Sequence, residues 1–163
     1  MAKSKITYIL REPSVKNGGT SACVDMVLRA HGIEIPQIEI AKEIGAPYFP
    51  PKRRDDETGI QRFLREKKLP LTEAYTHFDE VQDHDNSFLI CTAINDKSDV
   101  VMHYDLSGSR GKRSNKGSSV LIYSCDDPNL VVLDPVNGRV GLNLNNLRDF
   151  IAGFSVFSLK SRN

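Results

Sequence analysis

Apolar residues recur at helical spacing in the N-terminal part of the chain and alternate with polar ones in the C-terminal part. In TSACVDMVLRAHG, Cys23, Met26, Val27 and Ala30 fall on one helical face, with Thr20 placed to cap the start and Gly32 to stop the end. Pro36 opens a second, shorter helix that turns Ile40, Ala41 and Ile44 inward before Gly45 ends it. A proline-rich turn through Pro47, Pro50 and Pro51 and the charged run KRRDDE follow. Thr58 and Gln61 then make a capping box for a third helix that buries Ile60, Phe63 and Leu64 and closes at Lys67, Lys68 and Pro70.

From there the period changes. Ser87–Ile94, Val100–Leu106, Ser119–Cys125 and Leu130–Asp134 read as strands, and Asn137-Gly138 is a hairpin signal into Arg139–Leu144. A short Asn-capped helix with Leu147, Phe150 and Ile151 precedes a last strand at Phe154–Leu159. Helices first and an antiparallel sheet second predict an α+β fold, one domain over residues 1–163 with N-terminal helices packed against a C-terminal sheet.

Composition narrows the partners. With 163 residues and 39% hydrophobic content the chain can bury one core without staples, and a net charge of +1 argues against a uniformly basic nucleic-acid surface. The start, MAKSKITYILREP, has no apolar run of signal-peptide length, and no stretch approaches the ~20 apolar residues of a membrane helix. These features predict a cytoplasmic product without membrane association, leaderless secretion being the alternative. Cys23, Cys91 and Cys125 are odd in number and lack a CxxC, which points to a reducing compartment and buried thiols.

Two blocks bear on chemistry. The stretch from Asn17 to Ala41, NGGTSACVDMVLRAHGIEIPQIEIA, resembles the nucleophile helix and following turn of papain-like bacterial cysteine peptidases, above all the bacteriocin-leader peptidase-like group and related effectors; Met26–Arg29, Gly32 and Gln37–Ala41 carry the match. The stretch GSSVLIYSCDDPNLVVLDPVNG, from Gly117 to Gly138, resembles the Gly-His-hydrophobic strand and the strand ending in Asp-Pro-x-x-Gly of the same family. In that register the nucleophile position falls on Gly19 and the histidine position on Ser118, while the Asp-Pro corner is kept at Asp134 and Pro135. The resemblance thus implies a papain-like fold with a remnant site at Asn17, Gly19, Thr20, Ser118 and Asp134. Glycine supplies no nucleophile, and a serine is no general base near neutral pH.

The residues themselves leave other openings. Cys23 in the first helical turn, His103 on a strand and Asp134 make an alternative, shifted triad, against which stands the simpler reading of a core thiol and a hydrogen-bonded histidine. His31 suits the C-terminus of the first helix, where positive charge is favoured. His77 and His84 flank acidic residues without a metal-ligand spacing, so no metal and no cofactor is predicted. The loop SGSRGKRSNKGSS holds Arg110, Lys112, Arg113 and Lys116 with no acidic residue, an anion-binding candidate whose lack of aromatics disfavours single-stranded nucleic acid. The leading expectation is a non-catalytic, peptidase-like module that binds a peptide or protein, as a regulatory or effector protein of bacterial or phage type, with homo-oligomers a further possibility. The competing expectations are a cysteine peptidase or acyl transferase using Cys23 and His103, and a phosphate- or nucleic-acid-binding accessory protein using the basic loop.

Overall fold

The computed structural model describes residues 2–3, 8–51, 53, 55–77, 85–105, 117–147 and 150–161. In chain order the elements are β1 (Ala2–Lys3), α1 (Gly19–Ala30), α2 (Gln37–Ile44), α3 (Gly59–Glu66), β2 (Leu71–His77), α4 (Asp85–Asn95), β3 (Asp99–Asp105), β4 (Gly117–Asp126), β5 (Asn129–Asp134), β6 (Gly138–Asn143), α5 (Leu144–Leu147) and β7 (Ile151–Leu159). The strands form one antiparallel sheet in the order β2-β7-β3-β4-β5-β6, with β1 paired to the far end of β4 through Ala2 and Cys125. The α+β class and the helices-on-sheet arrangement stand as expected.

Strand alternation sends side chains to two faces, and each face carries its own core. On one, Cys23, Val27 and Leu28 of α1, Ile40 of α2, and Ile60, Phe63 and Leu64 of α3 pack onto Leu71, Val101, Leu121, Leu133 and Phe157. On the other, Ile90 and Ile94 of α4 and Leu144 of α5 cover Val100, Met102, Val120, Ile122, Leu130 and Val132. The α3 capping box is present in both directions: the Gln61 N–H donates to Thr58 Oγ1, and the Thr58 N–H donates to Gln61 Oε1, each at 2.9 Å. Gly45 after α2 and Gly138 in the β5–β6 turn take positive φ of 97° and 83°, the conformations their positions demand.

Three sequence expectations are corrected, and one strand that the sequence left unassigned is added. Ser87–Ile94 lies in a helix, α4, because its apolar run has no strict alternation to hold it in a strand and a helix can bury Ile90 and Ile94 together. Leu71–His77 is a strand that the pattern hid, since its inward positions include Glu73 and His77. The helix before the last strand is described over Leu144–Leu147, and Ile151, expected within it, belongs to β7. Finally, Cys91 and Cys125 are joined in a disulfide, leaving Cys23 as the free buried thiol. Among the described residues no helix is long and apolar enough to cross a membrane.

One buried charge organises the approach to α1. Asp25, fully buried, accepts from Arg29 Nε at 2.8 Å, Arg11 Nε at 3.2 Å and Gln37 Nε2 at 3.1 Å. Gln37 also accepts from the Ser14 N–H at 2.9 Å and donates to the Glu12 carbonyl at 3.0 Å, so the segment leading into α1 is tied to α2. Removing one partner of a buried charge leaves the others desolvated and unpaired. Asp25→Ala is therefore expected to cost about 3 kcal/mol in urea unfolding, and Asp25→Asn, which keeps an acceptor oxygen, clearly less. A loss for Asp25→Ala under about 1 kcal/mol, the range of an exposed pair, would refute this account.

Candidate functional site

The site begins with a turn. The Gly18 N–H donates to the Val15 carbonyl at 3.1 Å, Asn17 sits at φ 58°, and a Cβ at Gly18 would overlap the Val15 side chain. Gly18, not Thr20, is the residue before the helix; it offers no side-chain cap, and the first turn has no acidic residue. The α1 start is thus a helix terminus whose N–H groups meet no carboxylate of their own turn, a place that favours negative charge.

Gly19 is the first helical residue, and its position faces β4. A Cβ built on Gly19 would lie 2.7 Å from Ser118 Oγ and 3.8 Å from Ser118 Cβ. The two positions assigned by resemblance to nucleophile and base are therefore direct neighbours, and the absence of a side chain on one leaves room for the hydroxyl of the other. Ser118 pairs with Tyr104 across β3 and β4 and shares a hydrogen bond with its hydroxyl. Burial, and after it the Asp134 carboxylate, holds that phenol above its ordinary range. Asp134 is buried and spent on its own turn: Oδ1 accepts the N–H groups of Val136 at 2.8 Å and Asn137 at 3.2 Å, and Oδ2 accepts from Asn137 Nδ2 at 3.1 Å.

Thr20 takes a different role from capping. Its Oγ1 lies 2.7 Å from Ser119 Oγ; Ser119 Oγ lies 2.7 Å from His103 Nδ1; His103 Nε2 lies 2.7 Å from Ser155 Oγ. Ser155 continues to Glu73, whose Oε1 accepts from the Thr58 hydroxyl at the start of α3. A hydrogen-bonded row thus runs through the core from α1 to α3 across four strands, and every member is buried. Tyr48 and Tyr75 flank the imidazole at 5.3 and 5.9 Å between ring centres. Sequence reading found His103 but not the row, because its partners come from five separate elements and only the inward alternation of Ser119 and Ser155 marks them.

This environment decides what Cys23 and His103 can do. Cys23 is fully enclosed in the α1 core, where burial and then Asp134 push its thiol well above the ordinary value. Burial pushes the His103 imidazole down to about 3, and both its nitrogens are engaged by serines.

The other sequence candidates separate from this region. His31 closes α1 and bonds through Nε2 to Asp99 Oδ2 at 2.8 Å, while the Tyr8 hydroxyl donates to the other oxygen of Asp99. His77 meets the Tyr75 ring edge-on at 4.7 Å, and among the described residues no group of three or more histidine, cysteine or acidic side chains is placed to hold a metal. His84, Arg110, Lys112, Arg113 and Lys116 lie outside the described residues.

Known structures share this architecture. A double-glycine-motif protease from an AMS/PCAT transporter, solved in complex with its leader peptide, matches with a TM-score of 0.60 and 13% identity over 98% of this chain and 95% of that one. The peptidase domain of Streptococcus ComA, a bifunctional ABC transporter of a quorum-sensing pathway, matches at 0.60 and 12% over 92% and 97%. A Bacillus anthracis protein described as a C39-like peptidase matches at 0.65 and 12% over 97% and 96%. The chain has the papain-like fold of these peptidase domains. No protein-family model and no curated protein matches the sequence itself. At such identities the fold carries over and the activity does not follow from it.

Proposed function

We propose that the chain is a peptidase-shaped module that binds a peptide without cutting it, its nucleophile and base positions being Gly19 and Ser118. The observation that carries this reading is the contact between those two positions: a Cβ on Gly19 would stand 2.7 Å from Ser118 Oγ, so the pair is mutually fitted with neither a sulfur nor an imidazole. The state of Cys23 and His103 supports it further, since burial disfavours the thiolate in one and the imidazolium in the other. A peptide is the favoured partner because one protein of the same fold is known with a leader peptide bound.

The test is a titration of the full chain with leader-type peptides ending in Gly-Gly, followed by fluorescence anisotropy and then by mass spectrometry of the peptide after long incubation. Saturable binding with the peptide recovered intact is the expected result. Cleavage at any bond would overturn the non-catalytic reading; no binding to leader-type peptides, nor to any peptide of an unbiased library, would overturn the peptide-binding one.

A further inference from the structure

Cys91 on α4 and Cys125 near the end of β4 are joined with a Cα–Cα distance of 5.4 Å across 34 residues of sequence. Cys125 is 1% exposed, whereas Cys91 is half-buried, so the Cys91 end of the bond is the less enclosed. Among its described side chains, α4 packs on the sheet with Ile90 and Ile94, with Cys91 and Ala93 at the margin and Leu89 facing out. A helix of eleven residues has little stability of its own, so its presence depends on that docking. Beneath it lie Val100, Met102, Val120 and Ile122, the apolar face of β3 and β4.

We infer that the Cys91–Cys125 bond is a redox-responsive staple that keeps α4 seated on β3 and β4, and that opening it frees this helix while the α1–α3 layer stays folded. The opening needs a dithiol reductant, which supplies both electrons. Its thiolate attacks the sulfur of Cys91, the less enclosed residue of the pair; the disulfide breaks, and Cys125 leaves as a thiolate and takes up a proton. The second thiol of the reductant then displaces Cys91, which is protonated in turn, and the reductant departs as a cyclic disulfide. Cys23 takes no part, being enclosed in the core on the opposite face of the sheet. Because β4 carries Ser118 at one end and Cys125 at the other, the released face extends along the strand that bears the candidate site.

Hydrogen exchange read by mass spectrometry on the full chain, before and after dithiothreitol, tests the inference. The oxidised protein is expected to yield a linked 91–125 peptide and one alkylatable thiol after unfolding. Reduction is expected to speed exchange at least tenfold in residues 89–95 and 120–125 and less than twofold in 19–30. A Cys91→Ala, Cys125→Ala double variant is expected to exchange like the reduced protein and to ignore the reductant. Three alkylatable thiols in protein refolded in a glutathione redox buffer, exchange unchanged by reduction, or an equal loss of protection in 19–30 would each overturn it, and the first and last are read on the natural sequence whether or not the variant folds.

Discussion

Changing Gly19 to Cys and Ser118 to His together is expected to create a thiol that iodoacetamide alkylates at pH 6 about tenfold faster than an ordinary exposed cysteine, an estimate resting on helix-terminal thiolate chemistry. A thiol at a helix start beside an imidazolium has its pKa lowered, here taken as about 6.5 against 8.5. At pH 6 that raises the thiolate fraction from about 0.3% to about 24%, and the lower basicity takes back about eightfold in intrinsic nucleophilicity, leaving the tenfold gain. Position 19 has the required surroundings, since α1 starts there without a side-chain cap or an acid in its first turn. Gly19→Cys alone is expected to fall short, because its Cβ would stand 2.7 Å from Ser118 Oγ and would force that hydroxyl off Tyr104 without gaining an imidazole. Cys23 serves as the internal reference: fully buried, it is not alkylated while the protein is folded. The double variant is expected to hydrolyse peptides poorly even so, because Asp134 is committed to the N–H groups of Val136 and Asn137 and is not free to orient a new imidazole. Equal alkylation rates for the single and double variants, both folded by circular dichroism, would remove positions 19 and 118 from any shared site.

The same two positions show what a sequence can and cannot disclose. Gly19 and Ser118 each sit in a block whose flanking apolar residues define a register, and the structure places the two positions side by side. The α3 start was legible because Thr58 and Gln61 act locally, three residues apart, and the β5–β6 hairpin because Asn137-Gly138 encodes its own geometry. Thr20 misled for an equally physical reason: the residue type suits a cap, but Gly18 already ends the turn and the Thr20 hydroxyl is drawn to Ser119 on another element. The α4 segment misled because FLICTAI is apolar almost throughout and periodicity cannot separate a buried helix from a buried strand. An odd cysteine count likewise says nothing of which two thiols the fold brings within bonding distance, and here Cys91 and Cys125 meet only because α4 crosses β4. The row of Glu73, Ser155, His103, Ser119 and Thr20 was hidden most deeply, since each member reads alone as an ordinary polar residue of a strand or helix.

That row gives the fold its largest expected dependence on pH. The His103 imidazole is pushed down to about 3 from an ordinary 6.5 by burial. Below pH 6.5 the unfolded chain takes up a proton that the folded protein refuses, so the contribution of this group is fully present above 6.5 and is lost as pH falls toward 3. The loss runs at about 1.4 kcal/mol per pH unit and reaches about 5 kcal/mol across that window, which is comparable to the whole stability of a small domain. Glu73 works in the opposite sense. Burial holds its carboxyl above the ordinary value of 4.5, ahead of the hydrogen bonds from Ser155 and Thr58 that pull it back, so its contribution is present below 4.5 and fades as pH rises through the elevated value. Above pH 4.5 the two slopes therefore oppose each other, and below it His103 acts without that offset. Urea unfolding from pH 7 to pH 3.5 is expected to show a steep acid limb in the natural protein, steepest below 4.5. His103→Gln, which keeps one donor and one acceptor for Ser119 and Ser155 but cannot be protonated, is expected to lower stability at pH 7 by about 1–2 kcal/mol and to flatten that limb. Glu73→Gln is expected to leave the acid limb steep and extend it to higher pH. An acid limb of the same slope in the natural protein and in His103→Gln would show that protons are taken up elsewhere, and the buried imidazole would then have to be charged already in the folded state, with Ser155 passing its hydrogen bond on to an ionised Glu73.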